Sequence, residues 1–184
     1  MFKQMQQVQQ YGIYTIPKFL NDEECETYKQ LIVNPPKESY NFTDSGIFKN
    51  RKFIDTTLTE VFYNKLMKHF EPSDLLVRPN NLIMTGHYEE GEQFNLHTDT
   101  GLYYNRNTKE KSRWTLLIYL NEDYEGGHTQ FYDDSWNLRE TIKPEKGKAL
   151  LFDIDLWHRG DNIKIGKKYW IGCEIIGKFD LKLD

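Results

Sequence analysis

Apolar and polar positions change their period part-way along this chain. Before residue 70 the apolar residues recur every three or four positions in two stretches, whereas from Asn80 onwards they come in short runs separated by turn residues. The first pattern is that of helices and the second that of strands, because side chains repeat about every 3.6 residues on a helix and every second residue on a strand. Asn21 or Asp22 can cap a first helix, in which Asp22, Glu23 and Glu24 complement the dipole and Cys25, Tyr28, Leu31 and Ile32 form the apolar stripe. Pro35-Pro36 ends it. A second helix is predicted over Thr57–Phe70, with Leu58, Val61, Phe62, Leu66 and Phe70 on its buried side. His69, near its end, suits the dipole there better than a metal. Tyr11–Pro17 alternates and predicts a strand, Gln4–Gln10 predicts a frayed terminus, and residues 37–56, without a clean period, predict a long loop near one mouth of the fold.

Strands are predicted at Leu82–Tyr88, Phe94–Asp99, Arg113–Leu120, His128–Tyr132, Leu138–Ile142, Lys148–Phe152 and Lys168–Gly177. Seven or eight strands after two helices predict a mainly β fold, a double-stranded β-helix of the jelly-roll or cupin-like kind, with the helices packed on the major sheet. No repeat or linker divides the chain, so residues 1–184 read as a single domain, with helical support over 18–70 and a β core over about 80–178. Two strands show which way they face. Trp114, Leu116, Ile118 and Leu120 form a wholly apolar side that belongs under the helices, which turns Thr115, Leu117 and Tyr119 inward. In the last strand Tyr169, Ile171, Cys173 and Ile175 are the apolar set, so Lys168, Trp170, Gly172 and Glu174 face the interior. A lysine inside a barrel needs an anion, because an unpaired buried charge is costly.

Composition narrows the partners. With 24 basic against 28 acidic residues the net charge is −4, which argues against a surface that neutralises many phosphates, and nucleic acid is not expected as a substrate. No apolar run is long enough to span a bilayer and the start lacks the apolar core of a secretory signal, so no membrane association and a cytoplasmic, reducing location are expected. The two cysteines, Cys25 and Cys173, read as inert packing groups.

The candidate chemistry lies in Phe94–Asp99. His97 and Asp99, two apart on a strand, project to one side, and His158 in Asp155–Gly160 is the second imidazole. Two imidazoles and one carboxylate on one face of a six-coordinate ion leave three positions open, which suits ferrous iron that must also bind a co-substrate and oxygen. The same set serves zinc hydrolases, but the His-Glu-x-x-His motif common to those is absent and the inward lysine has no role in that scheme.

Around these residues stand Tyr88–Phe94, Trp114–Asn121, Gly126-Gly127-His128-Thr129, Pro144–Gly147 and, ten positions after His158, Lys168. As an ordered series from Asn81 to Gly177, with a weaker echo in Phe19–Cys25, this resembles the prolyl 4-hydroxylase-like branch of the 2-oxoglutarate and Fe(II)-dependent dioxygenases. The resemblance implies His97, Asp99 and His158 as iron ligands, O2 and 2-oxoglutarate as co-substrates, ascorbate as an accessory reductant, and hydroxylation coupled to release of succinate and CO2. It implies that Lys168 pairs with the far carboxylate of 2-oxoglutarate, that Tyr119 donates to the same carboxylate with Thr115 or Thr129 as lesser candidates, and that Tyr88 lies near the metal-proximal end. His87 and His128 fall outside the implied triad, and the presence of Asp99 disfavours halogenation. The implied substrate is a peptidyl residue, proline first. A free amino acid or other small molecule is the alternative within the same chemistry, and a catalytically silent metal-binding module is the alternative outside it. The Gly101–Asn107 stretch and the loop from Lys37 to Lys52 are the expected walls over the metal.

Overall fold

Helices and strands take up residues as follows in the computed structural model, which describes residues 6–8, 12–41, 50–70 and 76–179. In chain order they are β1 (Gln6–Val8), β2 (Ile13–Ile16), α1 (Asp22–Val33), β3 (Tyr40–Asn41), β4 (Arg51–Ile54), α2 (Thr56–Leu66), β5 (Arg78–Glu89), β6 (Phe94–His97), β7 (Tyr104–Asn105), β8 (Glu110–Tyr119), β9 (Glu125–Gly126), β10 (Thr129–Tyr132), β11 (Leu138–Ile142), β12 (Ala149–Asp153), β13 (Trp157–Gly160), β14 (Ile163–Ile165) and β15 (Lys167–Lys178). The larger sheet runs β1-β2-β12-β8-β15-β5-β4-β3 with β7 beside one end of β8; the smaller runs β11-β10-β13-β6, and β14 pairs with β9. Pairing is antiparallel in both main sheets. The jelly-roll expected from the sequence is thus the observed architecture.

The alternation on β8 and β15 sets the layers. Trp114, Leu116, Ile118, Leu120, Ile171, Cys173 and Ile175 are buried on one face of the large sheet with Cys25 and Ile32 of α1 and Phe62 and Leu66 of α2. The other face packs Tyr119, Leu150 and Phe152 against Phe131 and Ile142 of the small sheet. Between the sheets lies the cavity described below. Gly172 is required where β15 crosses β8, because a Cβ there would stand 2.1 Å from the Leu116 carbonyl oxygen. Both cysteines are free and buried, and burial pushes the Cys25 thiol up to about 11.

Asn21 caps α1 through a reciprocal pair: its Oδ1 accepts from Glu24 N at 2.8 Å and its N donates to Glu24 Oε2 at 2.9 Å. Glu24 also pairs with Lys65 at 2.6 Å, which fastens α1 to α2. In α2 the buried residues are Leu58, Thr59, Phe62 and Leu66, while Val61 is 37% exposed, contrary to expectation. At about 100° per residue Val61 lies some 115° from the mean direction of those four. The helix also stops at Leu66, and Phe70 packs from beyond its end, edge-on to Tyr14 at 5.4 Å.

Two polar stretches are strands after all. Gln6–Val8 pairs with β2, although the Gln-rich start predicts a frayed end; the rest of that start lies outside the described residues. Within 37–56, β4 pairs with β5, Lys52 opposite Met84, and carries β3 at the sheet edge, so the expected helical support contains two strands. The reason is nonlocal pairing: Arg51-Lys52-Phe53-Ile54 has no alternation of its own and takes its conformation from the edge that β5 offers. Among the described residues no helix is long and apolar enough to cross a membrane.

Candidate active site

His97 and His158 are register partners across β6 and β13, which brings residues far apart in sequence into adjacent positions of one sheet. Asp99 does not share their strand. β6 ends at His97, and Asp99 is placed instead by its backbone N–H, which donates to Ile154 O at 3.0 Å, and by Thr115 Oγ1, which donates to Oδ2 at 2.5 Å. Asp99 Oδ1 lies 3.4 Å from His97 Nε2 and 3.7 Å from His158 Nε2, and one ligand atom from each of the three residues lies within 4.8 Å of the others.

Both ring orientations are fixed from behind. His97 Nδ1 lies 2.7 Å from Asn95 O and His158 Nδ1 lies 2.9 Å from Leu156 O. A carbonyl only accepts, so each Nδ1 carries the hydrogen and each Nε2 keeps its lone pair toward the cavity. His97 Nε2 is buried without a hydrogen-bond partner, which is the state of a ligand atom shaped for a metal. Burial pushes the His158 imidazole below its ordinary value and so keeps it in the neutral, ligating form. Burial would raise the Asp99 carboxyl, but its polar neighbours His97, His158 and the Thr115 hydroxyl more than offset it and hold the group below the usual range. Two imidazole lone pairs and an ionised carboxylate converging in this way fit a divalent ion such as Fe(II).

Lys168 lies toward the other end of the cavity. It is 3% exposed, its Nζ donates to Gly127 O at 2.6 Å, and it sits 5.0 Å from the centre of the Tyr119 ring. Burial pulls its ammonium down to about 7, with the charge of Asp161 opposing only part of that shift. Tyr119 and Thr129 share a hydrogen bond of 2.7 Å between their hydroxyls, and it is Thr129 that borders the cavity. Tyr119 is wholly enclosed behind it. Tyr88 lines the same space, its hydroxyl accepting from Asn50 Nδ2 at 3.2 Å and pushed up to about 12 by burial. The cavity holds about 290 Å³ and joins the triad to Lys168.

Thr115 is at the metal end, holding Asp99, rather than beside Lys168. His128 lies 3.8 Å from Asp161, and His87 lies near Tyr169; neither joins the triad, nor does His69, which follows α2. The pattern of the sequence gives no sign of Asn50 or Lys52 in the lining, because both enter on β4 and the residue before it. Glu174 was turned inward by alternation, and it does line the cavity, with Oε2 accepting from Leu102 N at 3.1 Å, from Asn80 Nδ2 at 3.2 Å and from Ser112 Oγ.

Residues 83–173 match the 2OG-Fe(II) oxygenase superfamily. Among curated proteins no match to the chain is found. Solved structures with the same fold include a viral collagen prolyl hydroxylase from Paramecium bursaria Chlorella virus-1 in complex with 2OG, at 19% identity and a TM-score of 0.60 over 92% of this chain and 97% of that one. A prolyl-4-hydroxylase of Pseudomonas putida aligns at 12% identity with a TM-score of 0.64, covering 92% and 94% of the two chains. A prolyl hydroxylase from Trichoplax adhaerens, in complex with a peptide fragment of the hypoxia inducible factor oxygen degradation domain, aligns at 17% identity with a TM-score of 0.62, covering 96% and 87%. The superfamily match runs from β5 into β15 and so takes in His97, Asp99, His158 and Lys168 together: over this stretch the chain is similar to the 2OG-Fe(II) oxygenases, which supports the reading of a 2-oxoglutarate-dependent dioxygenase.

Proposed function

We propose that this dioxygenase hydroxylates a peptidyl residue, proline first, using His97, Asp99 and His158 to hold Fe(II) and Lys168 to hold the far carboxylate of 2-oxoglutarate. The observation that carries the residue roles is the joining, in one cavity, of a His/Asp/His set with free lone pairs and a buried lysine whose charge burial alone disfavours. Bound there, iron with 2-oxoglutarate and O2 supplies the oxidation, in which one oxygen atom enters succinate as CO2 leaves and the other enters a C–H bond of the substrate.

The chain's own groups do the positioning. Asn95 and Leu156 carbonyls aim the two imidazoles, and Thr115 aims the carboxylate. Thr129, backed by Tyr119, offers a hydroxyl beside Lys168 to the same carboxylate, and Tyr88, the register partner of Lys168 on β5, forms with Asn50 a wall of the same cavity. Ascorbate serves to return iron to the ferrous state after uncoupled turnovers, and two unpaired thiols favour a reducing, cytoplasmic setting. Peptide as the substrate class is supported by the fold shared with prolyl hydroxylases, one of them seen with a peptide fragment.

The test is succinate formation by Fe(II)-loaded protein with 2-oxoglutarate, ascorbate and air, with and without a panel of proline peptides, His97→Ala serving as the metal-free control. Peptide-stimulated succinate with a mass gain of one oxygen on proline supports the reading. Stimulation by none of the peptides, in protein that still consumes 2-oxoglutarate, removes peptidyl proline from it.

A further inference from the structure

Glu174 presents an unusual accounting of hydrogen bonds. Its carboxylate is 3% exposed, and the donors that the fold supplies, Leu102 N, Asn80 Nδ2 and Ser112 Oγ, all converge on Oε2. Oε1 receives no hydrogen bond from any described residue, although the side chain lines the cavity. Oε1 is not among the enclosed polar atoms that lack a partner, so it opens to the cavity, where a bound molecule can reach it.

Its position says what that something touches. Glu174 stands opposite Thr115 in the β8–β15 register, and Thr115 holds Asp99, so the open oxygen belongs to the metal end of the cavity. Lys168 lies six residues away along β15, roughly 20 Å of extended strand, so Glu174 is not part of the place for the far carboxylate of the co-substrate. The same carboxylate pins the wall over the metal, because Ser112 Oγ, which it binds, accepts from Tyr103 N at 3.1 Å while Leu102 N reaches it directly. The fold therefore holds Oε2 and leaves Oε1 to the cavity at the metal end. Lys52 is in the same lining and its ammonium is favoured by the charge of Glu174, so the wall carries charges of both signs, and a cationic substrate meets Glu174 at contact range in competition with Lys52.

We propose that Glu174 reads the substrate by accepting, on Oε1, a hydrogen bond from a positively charged nitrogen next to the carbon that is hydroxylated. This rests on the functional reading above and names the substrate chemistry of that site: an amino-acid unit bearing an ammonium. The ammonium has two sources, a basic side chain flanking the target proline in a peptide, or the amino group of a free amino acid.

The test is Glu174→Gln. The three donors of the fold require an oxygen at their meeting point, so the glutamine carbonyl turns to them and its NH2 faces the cavity, which reverses the polarity Oε1 presents. Three probes are compared in wild type and variant by substrate-dependent succinate formation: acetylated, amidated proline hexapeptides with Lys or with Glu before the proline, and free L-proline. In wild type the Lys peptide is expected to exceed the Glu peptide in kcat/KM by about tenfold or more, and Glu174→Gln to bring that ratio toward one by raising KM, since a hydrogen bond to a charged group is worth roughly ten- to a hundredfold. The ratio does not depend on how much of the variant is folded. If free L-proline is the better substrate, its KM carries the same rise and the source of the ammonium is the free amino acid. With a peptide as the better substrate, a ratio near one in wild type overturns the proposal, and so, for whichever probe is turned over best, does a KM within about twofold of wild type in the variant, while the dioxygenase reading stays intact. Response to none of the three probes in protein that consumes 2-oxoglutarate overturns the substrate reading and this assignment with it.

Discussion

His97 and His158 face each other as cross-strand partners, their ring centroids 4.3 Å apart, and each has its Nδ1 anchored on a carbonyl two residues back in its own chain. Replacing either by alanine removes one of the three atoms proposed to hold the metal. Iron-dependent succinate formation is expected to fall by at least about a hundredfold in each variant, with loss of the visible iron-to-oxoglutarate band in the anaerobic complex. Retention of that band in His158→Ala would refute the ligand assignment.

Thr115 offers a subtler check. Thr115→Val keeps the shape but leaves Asp99 Oδ2 without the 2.5 Å hydrogen bond that orients it. Fe(II) affinity is expected to drop by about ten- to a hundredfold, read by metal titration, with the protein remaining folded. An affinity equal to wild type would mean that Ile154 O alone positions Asp99.

Lys168 makes the apoprotein pH-sensitive in a defined direction. Burial takes its ammonium from the ordinary 10.5 down to about 7, so between those values the unfolded chain holds a proton that the folded chain has released. Stability of the apoprotein therefore rises with pH through that window, and below about 7 the lysine is charged in both states and the penalty is fully present. Urea titrations from pH 7 to 10 measure this. Lys168→Met is expected to flatten the dependence.

The same group links co-substrate binding to protons. A dicarboxylate beside Lys168 restores the charged form, so binding above about pH 7 takes up a proton and 2-oxoglutarate affinity falls as pH rises. Calorimetry in buffers of different ionisation enthalpy reads the uptake directly. Lys168→Ala is expected to raise the KM for 2-oxoglutarate by about a hundredfold, and Tyr119→Phe, which leaves Thr129 without its 2.7 Å partner, by less.

Gly172 tests the fold itself. A methyl group there would meet the Leu116 carbonyl at 2.1 Å, in backbone that the paired strands hold on both sides. Gly172→Ala is expected to cost about 3 kcal/mol, visible as a lower urea midpoint. A change below about 0.5 kcal/mol would show that β8 and β15 separate at that point at no cost.

What could be read in the residues was whatever repeats locally. The alternation of Trp114–Leu120 and of Lys168–Glu174 assigned both faces of the central strands, and with them the inward positions of Lys168 and Glu174. Asn21 announced its helix because a capping box is complete within four residues. The pocket wall made by Asn50 and Lys52 left no such trace, since β4 owes its existence to an edge of β5 about thirty residues on. Asp99 was assigned its partners through the wrong cause: strand alternation predicts its direction, but the strand has ended, and Ile154 and Thr115 supply the direction instead. Val61 was misplaced because period alone does not say where the buried stripe of a short helix is centred.

The two histidines ride on the small sheet, whereas Asp99 is steered by a threonine that belongs to the large one. Asp99 is thus a gauge of the gap between the layers. Any repacking of Phe131, Phe152 or Leu150 that shifts one layer by a fraction of an ångström alters the bite angle of the metal site before it alters the content of helix or strand. Metal affinity should then register loosening of the interior earlier than circular dichroism does, and a series of interior substitutions ranked by iron binding would map the mechanical stiffness between the layers.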